Sequence, residues 1–260
     1  MRLSKLALQI KEANSKHASF RAQLLPSLLA GATKSDLTQQ DAEGNTILHL
    51  LAHDSGLNWV NPVLKTQDTL SIPNYEGETP IHKALSVGNL SELPTEFISE
   101  ANFRLKNKLN QTPLQKAASC KYLDCVPLHC ISQEGLLERD MHGSNVFDIA
   151  SSVGDISQIP ARFINLAVLT DARNRKLCPM ENLLYFGTIK DLPIFKPYGM
   201  SALNKEERAA WVQAIITSNE KVDTDCKQDP DLSRVPFDQA LLEALQKEDH
   251  LEPQGTWNSL

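Results

Sequence analysis

Two histidines in matching sequence surroundings are the first residues of this chain that could do chemistry. His49 and His82 stand 33 residues apart, and each follows a threonine by three positions. An imidazole gains or loses a proton near neutral pH, so it can serve as a general base or bind a metal ion. The sequence lacks the other residues that catalysis would need, since it has no Gly-x-Ser-x-Gly turn, no phosphate-binding glycine loop and no coherent Cys/His/Asn set. We therefore predict no enzymatic activity.

A group of thiols and a run of aspartates are the other candidates for chemistry. Their positions are Cys120, Cys125, His129 and Cys130 for the first group, and Asp223, Asp225, Asp229 and Asp231 for the second. The cysteines follow one another in five-residue steps, which match no zinc-binding pattern. The aspartates lack the glycine at the sixth position of a calcium loop, and Arg234 stands where its twelfth-position glutamate would be. The sequence therefore predicts no metal site and no cofactor.

Composition narrows the class of protein further. The chain has 260 residues, of which 41% are hydrophobic and 6% aromatic. No run approaches the roughly 18 apolar residues of a membrane span, and the N-terminus lacks the apolar core of a secretory signal peptide. The five cysteines are an odd number without paired spacing, which is typical of a reducing compartment. We expect a cytoplasmic protein that makes no membrane contact.

The charge distribution argues against a nucleic-acid partner. Residues 220–260 hold ten Asp or Glu against four Lys or Arg, so this stretch carries the whole formal charge of −6. The remaining body is neutral, whereas a nucleic-acid-binding protein needs a basic face.

The elements that position the two histidines recur along the chain. The first, Asp41 to Ala52, has the form Asp-x-x-Gly-x-Thr-x-Leu-His, and related stretches follow at a constant interval of 33 residues. They begin at residues 41, 74, 107 and 140. A second motif, apolar-x-x-apolar-Pro, repeats in the same register with prolines at 94, 127, 160 and 193. A constant period of this length is the mark of a solenoid built from repeats.

The second copy, Thr79-Pro80-Ile81-His82-Lys83-Ala84, resembles the Thr-Pro-Leu-His-x-Ala signature of the ankyrin repeat. The resemblance is strongest in the second and third copies and fades in the fourth and fifth. It implies an all-α fold, an ankyrin-repeat α-solenoid of about five repeats with N- and C-terminal capping helices. In that family the histidine forms hydrogen bonds between repeats, so the resemblance implies a structural role for His49 and His82.

The domain organisation follows from this register. We expect a capping helix and a degenerate half-repeat over 1–40, and a C-terminal capping helix over 201–219. An acidic linker, a short amphipathic helix at Phe237–Lys247 and a tail would occupy 220–260. The expected repeats are 41–73, 74–106, 107–139, 140–172 and 173–200.

Local signals predict where the elements begin. Thr46 and Thr79 are N-caps of the first helices, and Pro80 suits the first helical position. Pro94 and its equivalents should lie in the first turn of a second helix, since a proline inside a helix costs about 3 kcal/mol. That helix would run through Phe97 and Ile98. Residues 34–40 read as a polar connection.

The turn tips of such an array are predicted to bind a protein partner. The first two tips are acidic and the third and fifth are basic, with large apolar residues between them. The predicted contact residues are Glu43, Tyr75, Glu76, Glu78, Lys108, Leu109, Met141, His142, Arg173 and Arg175. The partner's identity stays open.

The sequence thus predicts a non-catalytic, monomeric module or scaffold for protein–protein interaction. An acidic patch at Glu243, Glu248, Asp249 and Glu252 resembles the secretion signals of type IV effectors, and the repeats resemble bacterial ankyrin proteins. An effector acting on a host protein in the host cytoplasm is therefore one alternative. The other is an enzyme whose site would have to lie within residues 200–260.

Overall fold

The structure is a computed structural model that describes residues 5–16, 18–54, 56–171, 177–192, 195, 203–228 and 243. Within these ranges the chain is all-helical and contains no strand, so the all-α prediction is confirmed. An isolated bridge pairs Gln40 with Thr46. None of the helices described is long and apolar enough to cross a membrane. The chain divides into two compact units, residues 1–149 and 150–260.

Three helices precede the first repeat. They are α1 (Lys5–Asn14), α2 (Ala18–Leu29) and α3 (Lys34–Thr38). The prediction of a mere connection over residues 34–40 is wrong, because α3 has its own cap. Thr33 and Asp36 exchange side-chain-to-backbone hydrogen bonds at the start of the helix, and Leu37 is fully buried.

Each repeat contains a first helix, which in the first four repeats begins directly after a threonine or asparagine. These helices are α4 (Ile47–His53), α6 (Pro80–Leu85), α8 (Pro113–Cys120), α10 (Val146–Ser152) and α12 (Pro179–Tyr185). The predicted N-caps Thr46 and Thr79 are confirmed, as is Pro80 at the first helical position. Helix α6 packs against α4 and α8, with Ile81 and Ala84 fully buried. A small alanine at this layer allows neighbouring helices to approach closely.

The second half of each of the first four repeats differs from the predicted regular helix. It consists of 3₁₀ turns followed by a helix of four or five residues: α5 (Gln67–Leu70), α7 (Glu100–Phe103), α9 (Gln133–Leu137) and α11 (Leu166–Leu169). The 3₁₀ turns are Leu57–Trp59, Pro62–Leu64, Thr95–Phe97, Leu123–Cys125, Leu128–Cys130, Ile156–Gln158, Ala161–Phe163 and Ile189–Asp191.

The repeated proline explains this difference. Pro94, Pro127 and Pro160 are extended, with ψ of 140°, 139° and 132°, and each immediately precedes a 3₁₀ turn. A proline also drives the residue before it out of the helical region, and Val126 and Ile159 are extended accordingly. Two consecutive extended residues interrupt any helix. The prolines therefore separate short turns instead of opening a long helix.

The last helix described, α13 (Lys205–Gln228), is longer than predicted. It starts within the predicted range 201–219, where the Asn204 and Glu207 side chains each accept a hydrogen bond from the other's backbone N–H. The predicted end at residue 219 is wrong. Val222 adds a buried residue to the stripe of Trp211, Ile215 and Ser218, and the helix ends just before Asp229-Pro230.

In the first three repeats, one position of the first helix joins the repeat to the next. His49 accepts the Thr46 backbone N–H at its Nδ1 (3.1 Å), which leaves the proton on Nε2 for the Glu78 carbonyl (2.8 Å). His82 does the same with Thr79 (3.1 Å) and the Gln111 carbonyl (3.3 Å). Each imidazole thus caps its own helix and holds the following turn.

The equivalent residues of later repeats vary this arrangement. Gln115 accepts the Thr112 N–H at 2.7 Å and donates to the Ser144 carbonyl at 2.7 Å, so an amide replaces the imidazole. Asp148 and Glu181 still accept the N–H of their caps. A carboxylate has no proton to donate to a carbonyl, and Glu181 instead accepts the Lys221 ammonium of α13 at 2.8 Å.

Acid is expected to weaken the fold through these histidines. Burial lowers the pKa of His49 and of His82 to about 4, against an ordinary value of 6.5. The unfolded chain therefore takes up protons before the folded one does, and stability present above pH 6.5 is lost as the pH falls toward 4. We expect the free energy of unfolding to drop by roughly 2 kcal/mol per histidine between pH 7 and pH 5 in urea titrations.

The chain itself supplies the control for this effect. Since Gln115 performs the same bonding, the double variant His49→Gln/His82→Gln should keep most of the stability at pH 7 and lose the pH dependence between 7 and 5. Glu78 titrates below this window, since its pKa is lowered to about 2. An unchanged pH dependence in the double variant would contradict the assignment.

Candidate protein-binding surface

In the first four repeats, the turn before the first helix is held by the side chain of the first residue of the turn. Asn74 Oδ1 accepts the backbone N–H groups of Glu76 (3.0 Å) and Glu78 (2.9 Å). Asp41, Asn107 and Asp140 form the same pair of bonds in their own turns. Carboxylate and amide oxygens at this position fold the turn locally, so each tip has a defined shape.

Successive tips are joined to one another by backbone hydrogen bonds. The N–H of Tyr75 donates to the Glu43 carbonyl at 3.0 Å. The same bond links Lys108 to the Glu76 carbonyl (2.9 Å) and Met141 to the Leu109 carbonyl (2.8 Å). Four tips therefore form one continuous row within residues 41–145, which we call the tip row.

Three large apolar side chains project from the tip row. Tyr75 is 51% exposed, Leu109 44% and Met141 57%, although the backbone of all three is hydrogen-bonded. The Tyr75 ring lies against Gly44, where an added Cβ would come within 2.5 Å of the ring. The structure thus brings together the three apolar residues that the sequence singled out, one on each of three consecutive tips.

The charged residues of the tip row only partly match the sequence-based prediction. Glu76, Lys108 and His142 are exposed. Glu43 is exposed too, but it lies 3.5 Å from the Lys11 ammonium of α1. Arg173 and Arg175 lie outside the described residues.

Glu78 does not belong among the predicted partner-contact residues. Its side chain is buried, 6% exposed, and its carboxylate lies between the Lys83 (2.5 Å) and Lys116 (3.1 Å) ammonium groups. Burial alone would raise the pKa of Glu78, but the hydrogen bonds and charges of the two lysines lower it to about 2. The carboxylate is therefore ionised and fully engaged within the protein. It offers no acidic contact to a partner.

Sequence reasoning missed the lysines that neutralise Glu78. Lys83 and Lys116 occupy the same position of α6 and α8, 33 residues apart, and both are half-buried. The signal was present in the repeat register, where a lysine follows Glu78 five residues on and recurs at the same position of the next repeat. Beside them, Asn45, Leu50, His53 and Asp54 line a groove of about 180 Å³ with Lys83.

The other residues considered for chemistry are placed as follows. Cys120 and Cys125 are half-buried and Cys130 is buried. No group of three or more His, Cys, Asp or Glu residues in the described ranges could hold a metal ion. Both ring nitrogens of His49 are engaged by backbone and hydroxyl groups.

No protein-family model matches the chain, and a search of curated proteins finds no match.

The tip row should be sensitive to a methyl group at Gly77. This glycine has φ of +76°, and an added Cβ would lie 2.8 Å from the backbone nitrogen of Lys108 on the next tip. A left-handed backbone conformation costs a residue other than glycine about 1–2 kcal/mol. We expect Gly77→Ala to lower the free energy of unfolding, measured in urea, by more than this amount.

Gly143→Ala is the matched control, because its φ of +74° is similar and no atom lies within 4 Å of the added Cβ. Its free energy of unfolding should fall only by the cost of the left-handed backbone conformation. Equal losses in the two variants would mean that the close approach between tips does not constrain the fold.

Proposed function

We propose that this chain is a non-catalytic, ankyrin-type module that binds a protein partner along the tip row. The observation that carries the proposal is the exposure of Tyr75, Leu109 and Met141 on three consecutive, hydrogen-bonded tips. Large apolar side chains on a rigid, exposed surface are the usual anchors of a protein interface. Rigidity matters because an ordered surface loses little conformational entropy on binding.

Several contacts support the ankyrin resemblance. The 33-residue period of the sequence recurs in the bonds of His49, His82 and Gln115, each of which reaches a carbonyl 29 residues further on. The same period recurs in the tip-to-tip bonds. The short turns after the repeated prolines depart from the pair of regular helices that the resemblance implies. The proposal therefore rests on the first half of each repeat.

The state of the chemically capable side chains favours binding over catalysis. His49 and His82 are buried, and the lowered pKa of each keeps the imidazole neutral at pH 7. Burial likewise raises the pKa of Cys178 to about 11, which keeps that thiol protonated. These groups stabilise the fold and are not presented to a substrate.

The energetic roles on the tip row should differ by residue type. The apolar anchors would supply most of the affinity, whereas Glu76 and Lys108 would steer orientation and association. Since Glu78 is neutralised internally, the acidic side of the surface is reduced to Glu43 and Glu76. We expect Tyr75→Ala to weaken binding about 30-fold, corresponding to about 2 kcal/mol, mainly through faster dissociation.

The decisive experiment compares two triple variants in affinity capture followed by measured binding of the captured protein. The test variant is Tyr75→Ala/Leu109→Ala/Met141→Ala. The control is Val63→Ala/Leu128→Ala/Leu137→Ala, which removes exposed apolar side chains elsewhere on the same unit. The proposal expects the test variant to lose the partner and the control to keep it. Equal retention, or equal loss, would overturn it.

A further inference from the structure

An apolar groove lies between α12 and α13, far along the chain from the tip row. It has a volume of about 260 Å³ and is lined by Leu177, Asn182, Tyr185, Phe186, Val222, Asp225 and Cys226. Phe186, which caps the end of α12, is 43% exposed, and its ring meets Tyr185 edge-on at 5.1 Å. Two adjacent aromatic rings at an open groove leave apolar surface in contact with water.

The helix pair that forms this groove is firmly joined on one side. Trp211, Ile215 and Val222 form the buried stripe of α13. The Lys221 ammonium lies 2.8 Å from both oxygens of the buried Glu181 carboxylate of α12. The groove is therefore a built feature of two packed helices, and its lining includes Tyr185, Phe186 and Cys226.

The chain itself supplies an apolar segment of suitable size. Residues 237–247 carry apolar side chains at the spacing of one helical face, namely Phe237, Ala240, Leu241, Ala244 and Leu245. Glu243 falls on the opposite face of that pattern. It is the one residue of the segment that the structure describes, and it is helical and exposed. A helix with one apolar stripe needs a surface that covers the stripe.

The connection between groove and segment is short. Asp225 and Cys226 line the groove in the last turn of α13, which ends at Gln228. Residues 229–236 then separate the helix from the segment, and eight residues span at most about 28 Å. A segment tethered this closely reaches the groove at a high effective concentration, on the order of millimolar, without any partner.

We propose that residues 237–247 dock with their apolar face in the α12–α13 groove, against Tyr185, Phe186 and Cys226. The tether and the exposed apolar rings both favour this occupant over a separate protein. The docked segment covers the end of the second compact unit and keeps the groove from other partners. This proposal is independent of binding at the tip row.

Cys226 provides a direct test, because its half-buried thiol lines the groove. In a full-length background with Cys120→Ser and Cys125→Ser, a new cysteine is placed at Leu241 or Leu245 on the apolar face. Glu243→Cys and Gln239→Cys on the polar face are the matched controls. Mild oxidation with glutathione disulfide, followed by peptide mapping, reports intramolecular disulfides to Cys226.

The proposal expects at least one apolar-face cysteine to form the disulfide ten or more times faster than both controls, at a rate independent of protein concentration. Equal rates at all four positions would mean an undocked segment and would overturn it. So would disulfides that join two chains and accelerate with concentration, since they would make a second copy the occupant.

A second measurement does not depend on engineered cysteines. The variant Phe237→Asp/Leu241→Asp/Leu245→Asp should raise the alkylation rate of Cys226 by iodoacetamide at least tenfold. The polar-face variant Gln239→Ala/Glu243→Ala/Gln246→Ala should leave that rate unchanged. A Cys226 rate that is the same in wild type and in the aspartate variant would contradict docking.

Discussion

The hydrogen bond from the third residue of a first helix to the next turn is the interaction on which the repeats depend. His49 satisfies the orphan N–H at the start of its own helix and then reaches the Glu78 carbonyl with its second nitrogen. One side chain thereby satisfies two buried backbone groups that would otherwise each cost free energy. In the same pair of repeats the Tyr75 N–H donates to the Glu43 carbonyl at 3.0 Å, so two separate hydrogen bonds join the neighbouring repeats.

This interaction needs a side chain that can accept and donate at once, which few residues can do. Neutral histidine and glutamine qualify, and they occupy residues 49, 82 and 115. Carboxylates at Asp148 and Glu181 retain only the accepting half, and Glu181 is paired with an ammonium group instead. The gradual loss of the sequence signature along the chain is thus a change in bonding. The apolar tips coincide with the part of the array in which the bond is complete.

The sequence predicted those features of the fold that depend on residues close together in the chain. The caps at Thr46 and Thr79 and the exposed Tyr75 followed from turn and helix chemistry within one repeat. The long second helix was wrong because the backbone restriction imposed by Pro94 outweighed the apolar spacing around Phe97. Glu78 was misjudged because neither of its partners belongs to the tip: Lys83 lies on the helix that follows, and Lys116 on the first helix of the next repeat.

The rigidity of the tip row is the claim on which the proposed function rests, and amide hydrogen exchange measures it residue by residue. The N–H groups of Tyr75, Lys108 and Met141 belong to exposed turns, where exchange is ordinarily fast. If the tips are bonded into one row, these three amides exchange slowly, at rates close to those of the buried amides of α6 and α8. Exchange at the rate of an unprotected surface loop at all three positions would contradict the account.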